Sequence, residues 1–107
     1  MEIGIITAQR AVTAAGTPEK LKEAPEWEHS KMISVKIRAK TGNAGDIYIT
    51  NETDRASAST VGEVLAAGEF IVLDVHDFPD AYLNLSKIWI DAATSGDGIS
   101  LTAFEVL

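Results

Sequence analysis

The sequence predicts an all-β fold, a single sandwich or barrel, and three observations carry that expectation. Ile33, Val35, Ile37 and Ala39 alternate with Ser34, Lys36, Arg38 and Lys40, the period-2 pattern of a strand that is wet on one side only. Short apolar runs of this kind recur along the chain, separated by turn chemistry such as Thr41-Gly42-Asn43-Ala44-Gly45 and Thr94-Ser95-Gly96-Asp97-Gly98. No stretch carries the long 3.6-residue period of an amphipathic helix, and short strands at roughly regular spacing argue a sandwich or barrel.

Composition sets the limits. At 107 residues and 46% hydrophobic content the chain is expected to form one domain, residues 1–107, with a core that needs no staple. The absence of cysteine excludes disulfides and thiolate metal sites. No apolar run approaches the roughly 18 to 20 residues of a membrane span. The start Met1-Glu2-Ile3-Gly4 lacks the basic region of a signal peptide. A soluble protein made in a cytoplasm, with no membrane partner, is therefore expected.

The formal net charge is −7, and its placement matters more than its size. Eight of the nine basic residues lie before residue 56, balanced there by eight acids, so all the excess negative charge is C-terminal. Phosphate affinity comes mainly from clustered Lys and Arg, so nucleic acid is not an expected partner. The exception is Lys36, Arg38 and Lys40, with Lys31 just before them. They form either a solvated strand face or a docking surface for an acidic protein partner.

Taken in order, Gly4 to Ala14 is rich in small and β-branched residues and reads as a first strand, kinked near Ala8, or as an arm laid along a neighbour. Gly16 and Pro18 end it, and Glu19 to Glu23 reads as an irregular connection with room for one helical turn. Trp27 and His29 precede the central strand, and a tryptophan covering one open end of the core is the simplest role for Trp27. Ser30 to Thr50 then reads as a hairpin, its glycine-bearing turn followed by Ile47 and Ile49.

Asn51 to Thr60 is polar and without period, a surface loop. Val61 to Gly68 has some helix propensity, but its glycines favour a turn-rich link between strands. Glu69 to His76 carries Ile71, Leu73 and Val75 on one face and Phe70 and Val72 on the other, so it belongs inside a sandwich or at a subunit contact. Asp77-Phe78-Pro79-Asp80 breaks it. Lys87 to Asp91 is a short strand with Trp89 opposite Ile88 and Ile90, and Ile99 to Val106 is the last strand. The expected core is Ile33, Val35, Ile37, Ile47, Ile49, Ile71, Leu73, Val75, Ile88, Ile90 and Leu101.

No catalytic constellation is legible. His29 and His76 stand in no metal-ligand spacing with a second His or a Cys. Asp91 to Gly98 lacks the twelve-residue calcium-loop spacing and its terminal Glu, so these aspartates are expected to serve turns and strand ends. Among 16 acidic residues no carboxylate pair stands out for acid–base work. There is no phosphate-binding glycine loop, nucleophile elbow or Ser-His-Asp order. The expectation is no enzyme activity, no catalytic residue, no metal and no cofactor.

The order of motifs does resemble a family. Ile37-Arg38-Ala39-Lys40 leads into Gly42-Asn43-Ala44-Gly45-Asp46-Ile47-Tyr48-Ile49. Leu65-Ala66-Ala67-Gly68-Glu69 precedes an apolar strand, Ser86 to Ala92 follows, and Gly96-Asp97-Gly98 joins the last pair. Over residues 33–107 this is similar to the small decoration and head- or tail-accessory proteins of tailed bacteriophage virions.

The resemblance implies a jelly-roll-like β-sandwich with an extended N-terminal segment, residues 1–14 being arm or first strand. It further implies a structural cement protein on the surface of a phage head, with the major capsid protein and its own copies as partners, most simply in a trimer. Ile5, Ile6 and Arg10 of the N-terminal segment, with Lys36, Arg38 and Lys40, are then the candidate partner-binding residues. The competing reading is a tail or receptor-recognition module stacking carbohydrate on Trp27, Tyr48, Tyr82 and Trp89.

Overall fold

In the computed structural model, which describes residues 2–21, 31–75 and 81–107, the alternating runs become strands. They are β1 (Ile3–Ala11), β2 (Glu19–Lys20), β3 (Lys31–Ala39), β4 (Ile47–Asn51), β5 (Glu63–Leu65), β6 (Phe70–Asp74), β7 (Ile88–Ala92) and β8 (Gly98–Val106). They form two antiparallel four-stranded sheets, sheet I in the order β1-β8-β3-β6 and sheet II in the order β2-β7-β4-β5. Strand 1 pairs with 8, 2 with 7, 3 with 6 and 4 with 5. A long antiparallel hairpin folded over into two layers has this order, that of a jelly roll.

The expected hairpin around Gly42 is corrected by this topology. β3 pairs with β6 and β8, whereas β4 pairs with β5 and β7. Thr41 to Asp46 is therefore a corner that carries the chain from one layer to the other. Side chains replace the missing ladder there. Asn43 donates from Nδ2 to the Gly98 carbonyl and accepts from the Gly98 N–H at Oδ1, both at 2.9 Å. Asp97, only 8% exposed, accepts the Ala44 and Gly45 N–H groups on its two carboxylate oxygens at 3.1 and 2.8 Å. Buried backbone donors must be paired, and these two residues pair them where no strand can.

The core lies between the sheets. Val35, Ile37 and Ala39 of β3 and Ile99, Leu101 and Ala103 of β8 face Ile47 and Ile49 of β4, Ile90 and Ala92 of β7 and Leu65 of β5. Ile71, Leu73 and Ile88 are partly buried against it. Two of the expected core residues, Ile33 and Val75, are half-buried instead. Ile33 is the extra residue of a register break between Met32 and Ser34, which turns Met32 into the interior in its place. Val12, Leu21 and Leu85, outside the alternating runs, are also fully buried.

β1 is a full member of sheet I. It pairs with β8 from Ile3↔Val106 to Ala11↔Gly98 with no register break, so there is no kink at Ala8, and Ile3–Ala11 is not a free arm. Two connections expected to be irregular hold short strands, β2 and β5. The loop after β4 contains a 3-10 turn, Arg55–Ser57, followed by an α-helix, α1 (Ala58–Val61), which buries Ala58. Trp27, His29, His76 and Asp77 to Asp80 lie outside the described residues. Among those described, no helix is long and apolar enough to cross a membrane.

Candidate partner-docking face

Because side chains alternate along each strand, the register of sheet I determines what its outer face presents. One cross-strand row is Ile5, Phe104, Ser34 and Asp74; the next is Thr7, Thr102, Lys36 and Val72; the third is Gln9, Ser100, Arg38 and Phe70. The face is thus basic along β3, with apolar groups Phe70 and Val72 on β6 and Ile5 and Phe104 on the far side, polar Thr7, Gln9, Ser100 and Thr102 among them, and Asp74 at the end of β6. Phe70 and Val72 are each 50% exposed, and across the sheet Ile5 is 67% and Phe104 38% exposed.

The cations and the β6 aromatic act together. Lys36 Nζ lies 4.3 Å from the centre of the Phe70 ring and Arg38 Cζ lies 5.4 Å from it. Both are within the range in which a ring face attracts a cation, so Phe70 holds the two side chains over the sheet. Beyond Arg38 the face opens into a shallow polar cleft lined by Gln9, Lys40, Asn43, Asp97 and Ser100. Asp97 belongs to the corner already described, and its oxygens are taken by backbone donors.

Of the candidate residues named from the sequence, Ile5, Lys36 and Arg38 share this face, and Lys40 borders its cleft. Ile6 and Arg10 do not. The even positions of β1 turn inward, where Ile6 packs against the core and Arg10, half-buried, donates to Glu19 at 2.9 Å. Val72, Phe70 and Phe104 complete the face. The first two were legible as the second apolar side of their strand, whereas Phe104 becomes a neighbour of Ile5 only through the β1–β8 register.

The other chemically suggestive groups have structural partners. Asp91 Oδ1 accepts the Gly16 and Ala92 N–H groups at 3.0 and 2.8 Å, clipping the loop after β1 onto sheet II. No cluster of three or more His, Asp or Glu that could hold a metal is found among the described residues. Among the described aromatics, Trp89 is half-buried with Arg55 Cζ 5.0 Å from its ring, and Tyr82, 47% exposed, has Lys31 Nζ 5.5 Å from its ring centre.

No protein-family model and no curated protein sequence matches the chain. Among solved structures it is similar to a chain of the Bacillus endospore appendages, described as a novel family of disulfide-linked pili. That match has a TM-score of 0.47 and 17% identity over 98% of this chain and 88% of the other. It is also similar to a chain of the cyanophage Pam1 capsid asymmetric unit, with a TM-score of 0.38 and 15% identity over 99% and 84%. At TM-scores below 0.5 these likenesses say nothing of function, which has to be read from the residues themselves.

Proposed function

We propose that this chain is a non-catalytic structural protein of a virion, a cement that decorates a phage head by docking the outer face of sheet I onto the shell. The observation that carries the reading is the composition of that face: half-exposed Phe70 and Val72, exposed Ile5 and Phe104, and Lys36 with Arg38 between them. An apolar surface grouped on one side of a small domain marks an interaction site. A basic strip on a molecule of net charge −7 selects an acidic protein surface. The jelly-roll order agrees with the sandwich that the phage-accessory resemblance implies.

Add-back to heads stripped of their decoration tests this. The wild-type chain is expected to rebind and to raise the temperature at which the shell fails. The double variant Lys36→Glu, Arg38→Glu is expected to rebind poorly, and wild-type binding is expected to weaken as salt rises past the range in which exposed charges are screened. Phe70→Ala should weaken binding by about 1 kcal/mol or more, as loss of a buried aromatic anchor does. A chain that leaves the heat resistance of the shell unchanged, or binds equally well with both charges reversed, refutes the reading.

A further inference from the structure

Strand edges with unpaired N–H and C=O groups invite another chain, and most proteins blunt them by shortness, charge, proline or a bulge. In this sandwich β2 and β5 are short edges of two and three residues, and β6 has five and ends in Asp74. β1 is the exception. Its outer edge runs nine residues with no bulge, and Ile3 to Gln9 contains neither a charge nor a proline. Among the described residues nothing pairs with that edge.

The backbone shows which groups it offers. Glu2 accepts from Leu107 and Val12 donates to Asp97, so the even positions of the strand point their N–H and C=O groups toward β8. The odd positions, Ile3, Ile5, Thr7, Gln9 and Ala11, point theirs outward.

We propose that two copies of this chain join edge to edge through antiparallel pairing of β1 with β1 of the second copy, making one continuous eight-stranded sheet. The pattern of the strand is complementary to itself. With Ile6 opposite Ile6 of the second copy, Ile5 faces Thr7, Ile3 faces Gln9, and the outward odd positions exchange their hydrogen bonds in pairs. In the same register Glu2 of each copy lies opposite Arg10 of the other; Arg10 is already held by Glu19 of its own chain, so the alignment rests on the apolar and backbone match. The contact uses one patch twice and closes as a two-fold dimer, leaving no free β1 edge. It is independent of the shell-docking reading, because the edge of sheet I rather than its face makes it.

Sedimentation of the full chain in the absence of any shell tests the pairing, so its outcome is separate from that of the add-back. The wild type is expected to dimerise in a concentration-dependent way. Thr7→Pro removes only an outward N–H, and Ile5→Lys places a charge on an exposed position; both are expected to stay folded by circular dichroism. Each should raise the dimer dissociation constant about tenfold or more, a change of roughly 1.4 kcal/mol. Should the proline variant unfold, Ile5→Lys decides.

The chain has no cysteine, so Ile6→Cys reads the register. Directly opposed, non-hydrogen-bonded positions are close enough for a disulfide, and this variant is expected to form a covalent dimer on oxidation while Ile5→Cys and Thr7→Cys do so less readily. A wild type that sediments as a monomer or a trimer, variants that dimerise as tightly as wild type, or cross-linking that favours residue 5 or 7 over residue 6 overturns the proposal.

Discussion

Asp97 and Asn43 show how far single polar side chains determine this fold. Between them they satisfy four backbone groups at a corner where the chain leaves one sheet and has not yet entered the other. Replacing Asp97 by Ala removes two part-buried hydrogen bonds from backbone N–H groups to a carboxylate, and the expected cost is about 1–3 kcal/mol in urea unfolding, the range for hydrogen bonds to a charged group. The neighbouring glycine is constrained sterically. A Cβ at Gly98 would sit 2.5 Å from the Arg10 carbonyl oxygen and 3.1 Å from the Ala11 Cα, both backbone atoms of the paired strand. Gly98→Ala is therefore expected to force β1 and β8 apart and to cost about 1–3 kcal/mol, read as a fall in the thermal midpoint.

At the scale of elements, β3 is the strand that the sequence describes best, because it is buried on one face and wet on the other along almost its whole length. Ile37→Ala is expected to cost about 2–5 kcal/mol, since the side chain is fully buried among both layers. Arg38→Ala, one residue on and exposed, is expected to stay within about 0.5 kcal/mol of wild type. Chemical denaturation of the pair checks the alternation directly. What the sequence hides is also explicable. β2 and β5 are too short to display a period. The register break at Ile33 is set by how β3 meets β8, not by any local residue preference. Turn chemistry at Gly42 and Gly45 says that the chain reverses but not which sheet receives it, and so a corner reads as a hairpin. The docking face was half legible for the same reason. Its basic strip lies on one strand, whereas its apolar groups come from β1, β6 and β8 and meet only through long-range register.

For the whole molecule, the charge imbalance and the layer order bear on different properties. The chain carries a net charge of −7, and Lys36 and Arg38 form a local basic strip, so binding of that strip to an acidic surface is expected to weaken as salt rises. The nested pairing of first strand with last has another effect, on the route to the native state. β8 sits between β1 and β3 at the centre of sheet I, yet almost the whole chain separates it from β1. Loop closure across that distance must precede the contacts that reward it. Refolding is therefore expected in the slow range of non-local β proteins, about milliseconds to seconds, and stopped-flow dilution from urea would measure it. Deleting Gly98–Val106 should do more than shorten the chain: it leaves β1 without a partner and β3 with only β6. During synthesis β3 can pair only with β6 until β8 emerges, so the four-stranded sheet I is completed last and the apolar strands before β8 stay exposed until then.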